Sequence, residues 1–151
     1  MSSWPDLSGR LERGVHYLPV RVYYEDTDFT GIAYHGSYVR FFERGRSDFL
    51  RLAGVHHSEL LNGKDDRSLA FAVKKMTLTF SRPATIDDVL EVRTRITNLK
   101  GARIELEQKI YRDDVLLVAC DIVVAVITLD GRATRLPAEL AVKLAQASDL
   151  N

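Results

Sequence analysis

The sequence predicts an α+β fold in which one long helix is wrapped by an antiparallel sheet. Two observations carry this. Tyr38, Phe41, Phe42, Gly45, Phe49 and Leu52 recur at helical spacing, whereas from Leu69 onward the apolar period changes to two. The alternating segments are joined by turns so short that consecutive strands must lie antiparallel, and a helix of about 17 residues needs a concave sheet to cover its apolar stripe.

The first strand centres on Val20-Arg21-Val22-Tyr23-Tyr24, a run of β-branched and aromatic residues. Ahead of it, residues 1–13 hold Pro5, Asp6, Arg10 and Glu12 and no apolar stretch long enough for a signal peptide or a membrane span. Residues 1–15 therefore read as a flexible leader and residues 16–147 as a single domain. In the helix, Ser37 is the expected cap and Gly54 the expected stop. Gly45 on the apolar stripe costs about 1 kcal/mol relative to alanine, which implies close approach to the backbone by something flat, a sheet being the natural candidate.

Between Gly54 and Ser68 the periodicity weakens: His56-His57 reads as solvated, and residues 58–62 could make a short helical turn. Leu69–Phe80 is the second strand. Leu90, Val92, Thr94 and Ile96 mark the inward face of the third, and Ile104, Leu106 and Ile110 that of the fourth. Residues 115–129 are almost continuously apolar, as expected of a long central strand covered on both faces. Turns fall at 98–101, 112–114 and Asp130-Gly131, and Pro137 opens a short helix with Leu140, Ala141 and Leu144 inward. The tally is one long central helix and a five-stranded antiparallel sheet. A single-layer sheet leaves edges and one face uncovered, which favours a homo-oligomer with a continuous sheet.

Composition excludes some functions. Lys plus Arg and Asp plus Glu both total 21, so no basic field points to nucleic acid and no acidic excess to disorder. The one cysteine, Cys120, sits in an apolar run, where it packs as a small hydrophobe and has no intramolecular disulfide partner, an expectation that suits the cytoplasm.

Chemistry concentrates in Glu25-Asp26-Thr27-Asp28-Phe29-Thr30-Gly31-Ile32-Ala33-Tyr34-His35, an acid, a glycine turn and a histidine between strand and helix. The unpaired N–H groups of a helix N-terminus could stabilise a carbonyl oxygen gaining negative charge, as acyl transfer requires. Asp26 and Asp28 fall on the same side of an extended segment, so Asp26 is expected to be the more solvated of the two or paired with an arginine. Asp-x-Asp followed by His could also hold a metal ion, but no further ligand cluster lies close in sequence.

Arg21-Val22-Tyr23-Tyr24-Glu25-Asp26-Thr27-Asp28, followed by Gly31-Ile32, Tyr34-His35 and Tyr38, resembles the signature of the 4-hydroxybenzoyl-CoA thioesterase family, and within it the YbgC-type acyl-CoA thioesterases associated with the Tol-Pal system. The likeness continues through Glu43-Arg44-Gly45-Arg46, Lys75-Met76-Thr77, Arg82-Pro83-Ala84 and Asp87-Asp88. The resemblance implies the hotdog fold and hydrolysis of acyl-CoA thioesters without metal or redox cofactor. It makes Asp28 the catalytic carboxylate, nucleophile or general base, with His35 the polar group at the helix start. The backbone N–H of His35 or Gly36 would be the oxyanion donor and Gly31 the turn that returns the helix toward Asp28. Tyr34, Gly36, Lys75 and Arg82 are candidates for substrate binding, the two cations through the phosphates of coenzyme A. Acyl carrier protein is a possible alternative partner, and a dimer or dimer of dimers (homotetramer) the expected assembly. Phe29 and Thr30 depart from the family pattern, in which smaller residues stand. Two rivals remain on the residues alone: a non-catalytic scaffold that binds acyl-CoA or acyl carrier protein, and hydration of an enoyl thioester.

Overall fold

The computed structural model describes residues 7–56, 60 and 68–150. In chain order these form β1 (Arg10–Glu12), β2 (Val15–Arg21), a 3-10 turn (Tyr24–Asp26), α1 (His35–Leu52), β3 (Leu69–Phe80), β4 (Val89–Lys100), β5 (Arg103–Arg112), β6 (Val115–Thr128) and α2 (Ala138–Ala147). The strands make one antiparallel sheet in the order β1-β2-β4-β5-β6-β3. This is the hotdog arrangement, with six strands among the described residues where the sequence predicts five. The extra strand is β1, in the stretch read as leader. Its three residues pair with the start of β2, and just before it Gly9 N donates to Asp48 Oδ2 on α1 at 2.8 Å. A strand of three residues has too little alternation to show in sequence. Of the connection after α1, His57 and most of the turn read at 58–62 lie outside the described residues.

The inner face of the sheet and the apolar stripe of α1 form the core. Tyr38, Phe41, Phe42 and Phe49 are buried from the helix, meeting Leu90, Val92, Ile110, Val118 and Ile122 from the sheet. Gly45 is where they approach most closely. A Cβ there would stand 2.8 Å from Val92 Cγ1, 3.0 Å from Thr94 Oγ1 and 3.2 Å from Gln108 Nε2. The missing side chain lets α1 settle onto β4 and β5, as its place on the apolar stripe predicts. Gln108, fully buried, ties the layers together: its Nε2 donates to Phe42 O and Thr94 Oγ1, both at 2.9 Å, and its Oε1 accepts from an Arg46 terminal nitrogen at 3.0 Å.

Two expectations are corrected here. Strand β6 is flanked by β5 and β3 as a central strand should be, but within one chain its second face is only partly covered: Val118, Cys120, Ile122 and Val124 are buried on one face, while on the other Ala125 is buried, Ala119 and Val123 are half-buried and Asp121 is exposed. Its apolar character therefore exceeds what α1 covers. Ser37 does not cap α1. The helix starts three residues earlier than that cap implies, with Tyr34 at the cap position and no side-chain cap, and the Ser37 hydroxyl instead donates to Asp26 O at 2.8 Å.

Candidate active site

Asp28 sits in a tight reversal that ends at the amino terminus of α1. Its N–H donates to Ile32 O at 2.9 Å and its carbonyl accepts from Gly31 N at 3.1 Å. Gly31 has φ of 84°, a left-handed conformation that a side chain would strain, which is why glycine closes this turn. From there Ala33 N donates to Ala84 O at 2.8 Å and Tyr34 N to Asp26 O at 2.8 Å. The chain is thus pinned on both sides as it enters the helix.

Thr30 fixes the Asp28 carboxylate. Oδ1 accepts from the Thr30 hydroxyl at 2.5 Å and from Thr30 N at 2.8 Å, while Oδ2 has no protein partner among the described residues. Those bonds, the hydroxyl foremost and then the amide, hold the Asp28 carboxyl below its ordinary value. A carboxylate with one oxygen anchored and the other free, ionised at neutral pH, is equipped to attack a carbonyl or to take a proton from water.

Of the two environments expected for Asp26, exposure or an arginine partner, the structure shows the second. Asp26 is the buried one, only 3% exposed, and Asp28 is the more open. Asp26 Oδ2 accepts from Tyr23 N at 2.9 Å, and its Oδ1 lies 3.8 Å from an Arg40 terminal nitrogen. The arginine pairing is therefore present, and it is Asp26, not Asp28, that is buried. Asp26 is the brace of the loop: its side chain holds the backbone at Tyr23 and its carbonyl receives both Tyr34 N and the Ser37 hydroxyl.

Beside the helix start lies an open cleft of about 280 Å³ bounded by Ile32, His35, Tyr38, Phe80, Arg82 and Pro83. His35 and Arg82 meet here, and Tyr34 stacks on His35 with ring centroids 4.2 Å apart. Gly36 carries no side chain where a Cβ would come within 2.9 Å of the Tyr34 ring. Among the described residues the N–H groups of His35 and Gly36 have no backbone acceptor, in contrast to those of Tyr34 and Ser37. Asp28 borders the cleft through its bond to Ile32 but is not part of its wall. Lys75 is not brought to the cleft within one chain; it lies exposed midway along β3, beside a register shift against β6.

Strand β3 is also the open edge of the sheet, with Val73 and Phe80 each 51% exposed. The far wall of the cleft is held by polar bonds of groups to which, Tyr38 apart, sequence reasoning gave no role at the site. Tyr38 Oη accepts from Ala84 N at 2.9 Å; Asp88 Oδ2 accepts from Arg112 at 2.7 Å and from Thr85 N at 2.8 Å; and Arg112 reaches Pro83 O at 3.3 Å. Burial works against the Asp88 charge, yet the Thr85 and Arg112 donors prevail and hold its carboxyl below the ordinary range. The one signal in sequence was Asp87-Asp88 itself. Cys120 is no candidate nucleophile, since burial pushes its thiol up to about 11. Among the described residues no three His, Cys, Asp or Glu side chains are grouped to hold a metal ion, and no helix is long and apolar enough to cross a membrane.

One long helix laid against a single antiparallel sheet is the hotdog arrangement, and the loop that carries Asp28 leads into the amino end of that helix. The sequence profile of the thioesterase-like superfamily matches residues 22–144, and the chain belongs to that superfamily. Within it the chain falls among the YbgC-type acyl-CoA thioesterases. It is 40% identical to the acyl-CoA thioesterase YbgC of Haemophilus influenzae over 119 residues, 79% of this chain and 85% of the relative. It is 39% identical to the acyl-CoA thioester hydrolase YbgC of Escherichia coli O157:H7 over 130 residues, 85% of this chain and 94% of the relative. Among solved structures, a probable thioesterase from Bartonella henselae superimposes with a TM-score of 0.79 at 45% identity, covering 82% of this chain and 99% of the other. The chain is an enzyme of the thioester-hydrolase class.

Proposed function

We propose that this thioesterase hydrolyses acyl-CoA with Asp28 as the reacting carboxylate and the first turn of α1 as the oxyanion site. The observation that carries the proposal is the split carboxylate: Thr30 anchors Oδ1, and Oδ2 is left free in a loop that runs directly into the helix start. The thioester carbonyl, placed in the cleft beside His35, would direct its oxygen to the unpaired N–H groups of His35 and Gly36, aided by the helix dipole. Asp28 Oδ2 then attacks the carbonyl carbon to give a mixed anhydride and expel the thiolate, after which water cleaves the anhydride to the free acid and restores Asp28, or it removes a proton from a water whose oxygen attacks the carbonyl carbon as the C–S bond breaks and the thiolate leaves. Single turnover in oxygen-18 water separates the routes, because label recovered in Asp28 requires the anhydride. His35 orients the thioester, with Tyr34 stacked against it.

The exposed edge of β3 supports a homo-oligomer built on a dimer with a continuous sheet. Pairing there would carry Lys75 of one protomer toward the cleft of its partner, where it and Arg82 bind the phosphates of coenzyme A. An acyl carrier protein could deliver the same thioester. The test is thiol release from a panel of acyl-CoAs by the parent and by Asp28→Asn. The variant keeps an acceptor for Thr30 but loses the charge, so release is expected to fall at least about a hundredfold with the fold intact. Unchanged release removes Asp28 from the mechanism, and no release by the parent across the panel leaves an acyl-thioester binding scaffold.

A further inference from the structure

A second cavity, of about 240 Å³, lies at the other end of α1 from the candidate active site. Its walls are apolar: Phe71 and Val73 from β3, Ile104 and Leu106 from β5 and Val124 from β6. On the helix side, among the described residues, stand one cation, Arg46, and two further polar residues, Glu43 and Ser47. The Arg46 guanidinium is held by Gln108 Oε1 at 3.0 Å, and Gln108 is fixed in turn by Thr94 and Phe42 O. Among the described residues no carboxylate lies within ion-pairing distance of Arg46. Glu43 also borders the cavity, but it is exposed and acts on Arg46 only through the longer-range field. Burial works against the Arg46 charge, and an arginine has five N–H donors, of which the protein satisfies few here. A part-buried, oriented cation with one acceptor, Gln108 Oε1, and further N–H donors unmatched by the described residues stands ready to take another oxygen acceptor.

We infer that this cavity receives the far end of the acyl group and that Arg46 selects acyl chains ending in an oxygen acceptor, a hydroxyl or a carboxylate, over plain hydrocarbon chains. The inference rests on the thioesterase function and on the β3-edge dimer proposed above. Val73 forms part of the cavity wall and lies half-exposed on the open edge, while Phe80, at the other end of the same strand, lines the cleft by His35. Two copies of β3 paired antiparallel about a two-fold axis exchange ends, so the cleft of one protomer comes alongside the cavity of its partner. The volume suits a short chain, on the order of eight non-hydrogen atoms at the ~30 Å³ that a water molecule occupies in the liquid. A terminal hydroxyl could donate to Glu43 while accepting from Arg46; a terminal carboxylate would use Arg46 alone.

Three thioesters of similar length decide it: heptanoyl-CoA, ω-hydroxyhexanoyl-CoA and adipoyl-CoA, compared by kcat/KM for the parent, Arg46→Met and Arg46→Lys, with thermal unfolding as a check on folding. The parent is expected to favour at least one oxygenated thioester over heptanoyl-CoA by about tenfold or more, in line with a hydrogen bond to a charged group. Arg46→Met should erase that ratio and Arg46→Lys keep part of it; which oxygenated substrate leads separates the hydroxyl from the carboxylate. A parental preference for heptanoyl-CoA, or a ratio that survives Arg46→Met, overturns the inference. Calorimetric titration with adipate, ω-hydroxyhexanoate and heptanoate provides a readout independent of turnover. If no thioester is hydrolysed but an oxygenated acid binds the parent and loses about tenfold in Arg46→Met, the hydrolytic function falls and the site stands. If neither oxygenated acid outbinds heptanoate, the site falls whatever the activity.

Discussion

Replacing Gly45 by alanine tests the feature that seats the helix at the depth the active site needs. The new Cβ would lie 2.8 Å from Val92 Cγ1, 3.0 Å from Thr94 Oγ1 and 3.2 Å from Gln108 Nε2. None of these neighbours can yield easily. Val92, Thr94 and Gln108 are all fully buried, and moving Gln108 disturbs its bonds to Thr94, Phe42 and Arg46. Overpacking of this kind costs about 1–3 kcal/mol, and weakening one buried hydrogen bond about 1 kcal/mol more. Against that, alanine gains about 1 kcal/mol in helix propensity. The net expectation is a loss of about 1–3 kcal/mol, which for a domain of this size lowers Tm by roughly 3–10 °C. Differential scanning calorimetry measures it. Because α1 carries His35 and Gly36 at its start, kcat should fall as well. A Gly45→Ala protein with Tm equal to or above that of the parent would show that the helix does not rest on β4 and β5 as described.

Thr30→Val removes the hydroxyl donor to Asp28 while keeping the amide. The depressed Asp28 pKa should then rise toward the ordinary carboxylate value, so the acid limb of the kcat/KM profile moves to higher pH, measured by thiol release between pH 3 and 7. An unmoved limb would assign it to another group. His16 is fully buried, with Nε2 2.6 Å from Asp48 Oδ2 and Nδ1 unpaired. A protonated ring would leave a second buried N–H without an acceptor, so the neutral ring with its proton on Nε2 is the form that fits. Burial lowers the His16 pKa despite Asp48, and the sign follows: stability is full above the unfolded value of about 6.5 and declines as pH falls below it, a loss that His16→Phe should reduce in urea unfolding at pH 7 and pH 5. Asp48→Asn should cost about 1.5–3 kcal/mol and release Gly9, read as faster amide exchange across β1. Asp88→Ala frees Thr85 and Arg112, and the loosened wall at Arg82-Pro83 should raise KM more than it lowers kcat.

The elements that sequence shows plainly are those with long, clean periods. Helix α1 and strands β3 to β6 announce themselves because each repeats one face against one core over ten or more residues. The loop at Asp28 is legible for another reason: Gly31 is needed for its positive φ, and its place three residues after an acid marks the turn. Sequence could not show which of Asp26 and Asp28 is buried. Both point the same way in an extended strand, but the 3-10 turn at Tyr24–Asp26 rotates Asp26 inward, where its carboxylate serves the backbone. The turn itself is closed by local bonds, Asp26 N to Tyr23 O at 3.0 Å and Thr27 N to Tyr24 O at 3.1 Å, while Val22 N to Asp88 O and Ala33 N to Ala84 O anchor the chain on either side of it.

Polar residues placed in an apolar phase are the more instructive omission. Along β5 the inward face runs Ile104, Leu106, Gln108, Ile110, and along β4 it runs Leu90, Val92, Thr94, Ile96. Skipping Gln108 as a flaw in the alternation loses the residue that joins helix to sheet and aims Arg46. A buried amide is tolerated only when its donors and acceptor are satisfied, and Gln108 uses Phe42 O, Thr94 and Arg46 to do so. Gly45 and Gln108 are thus one device: the absent side chain on the helix makes the space in which the amide reaches the helix backbone. Removing the amide with Gln108→Leu, close in volume, tests the coupling. Stability should fall by about 1–3 kcal/mol, since Phe42 O and Thr94 lose a buried donor, and Arg46 loses its anchor, so any selectivity that depends on its direction should fall while hydrolysis of heptanoyl-CoA persists. Selectivity unchanged in Gln108→Leu would mean that Arg46 is positioned by something other than the sheet.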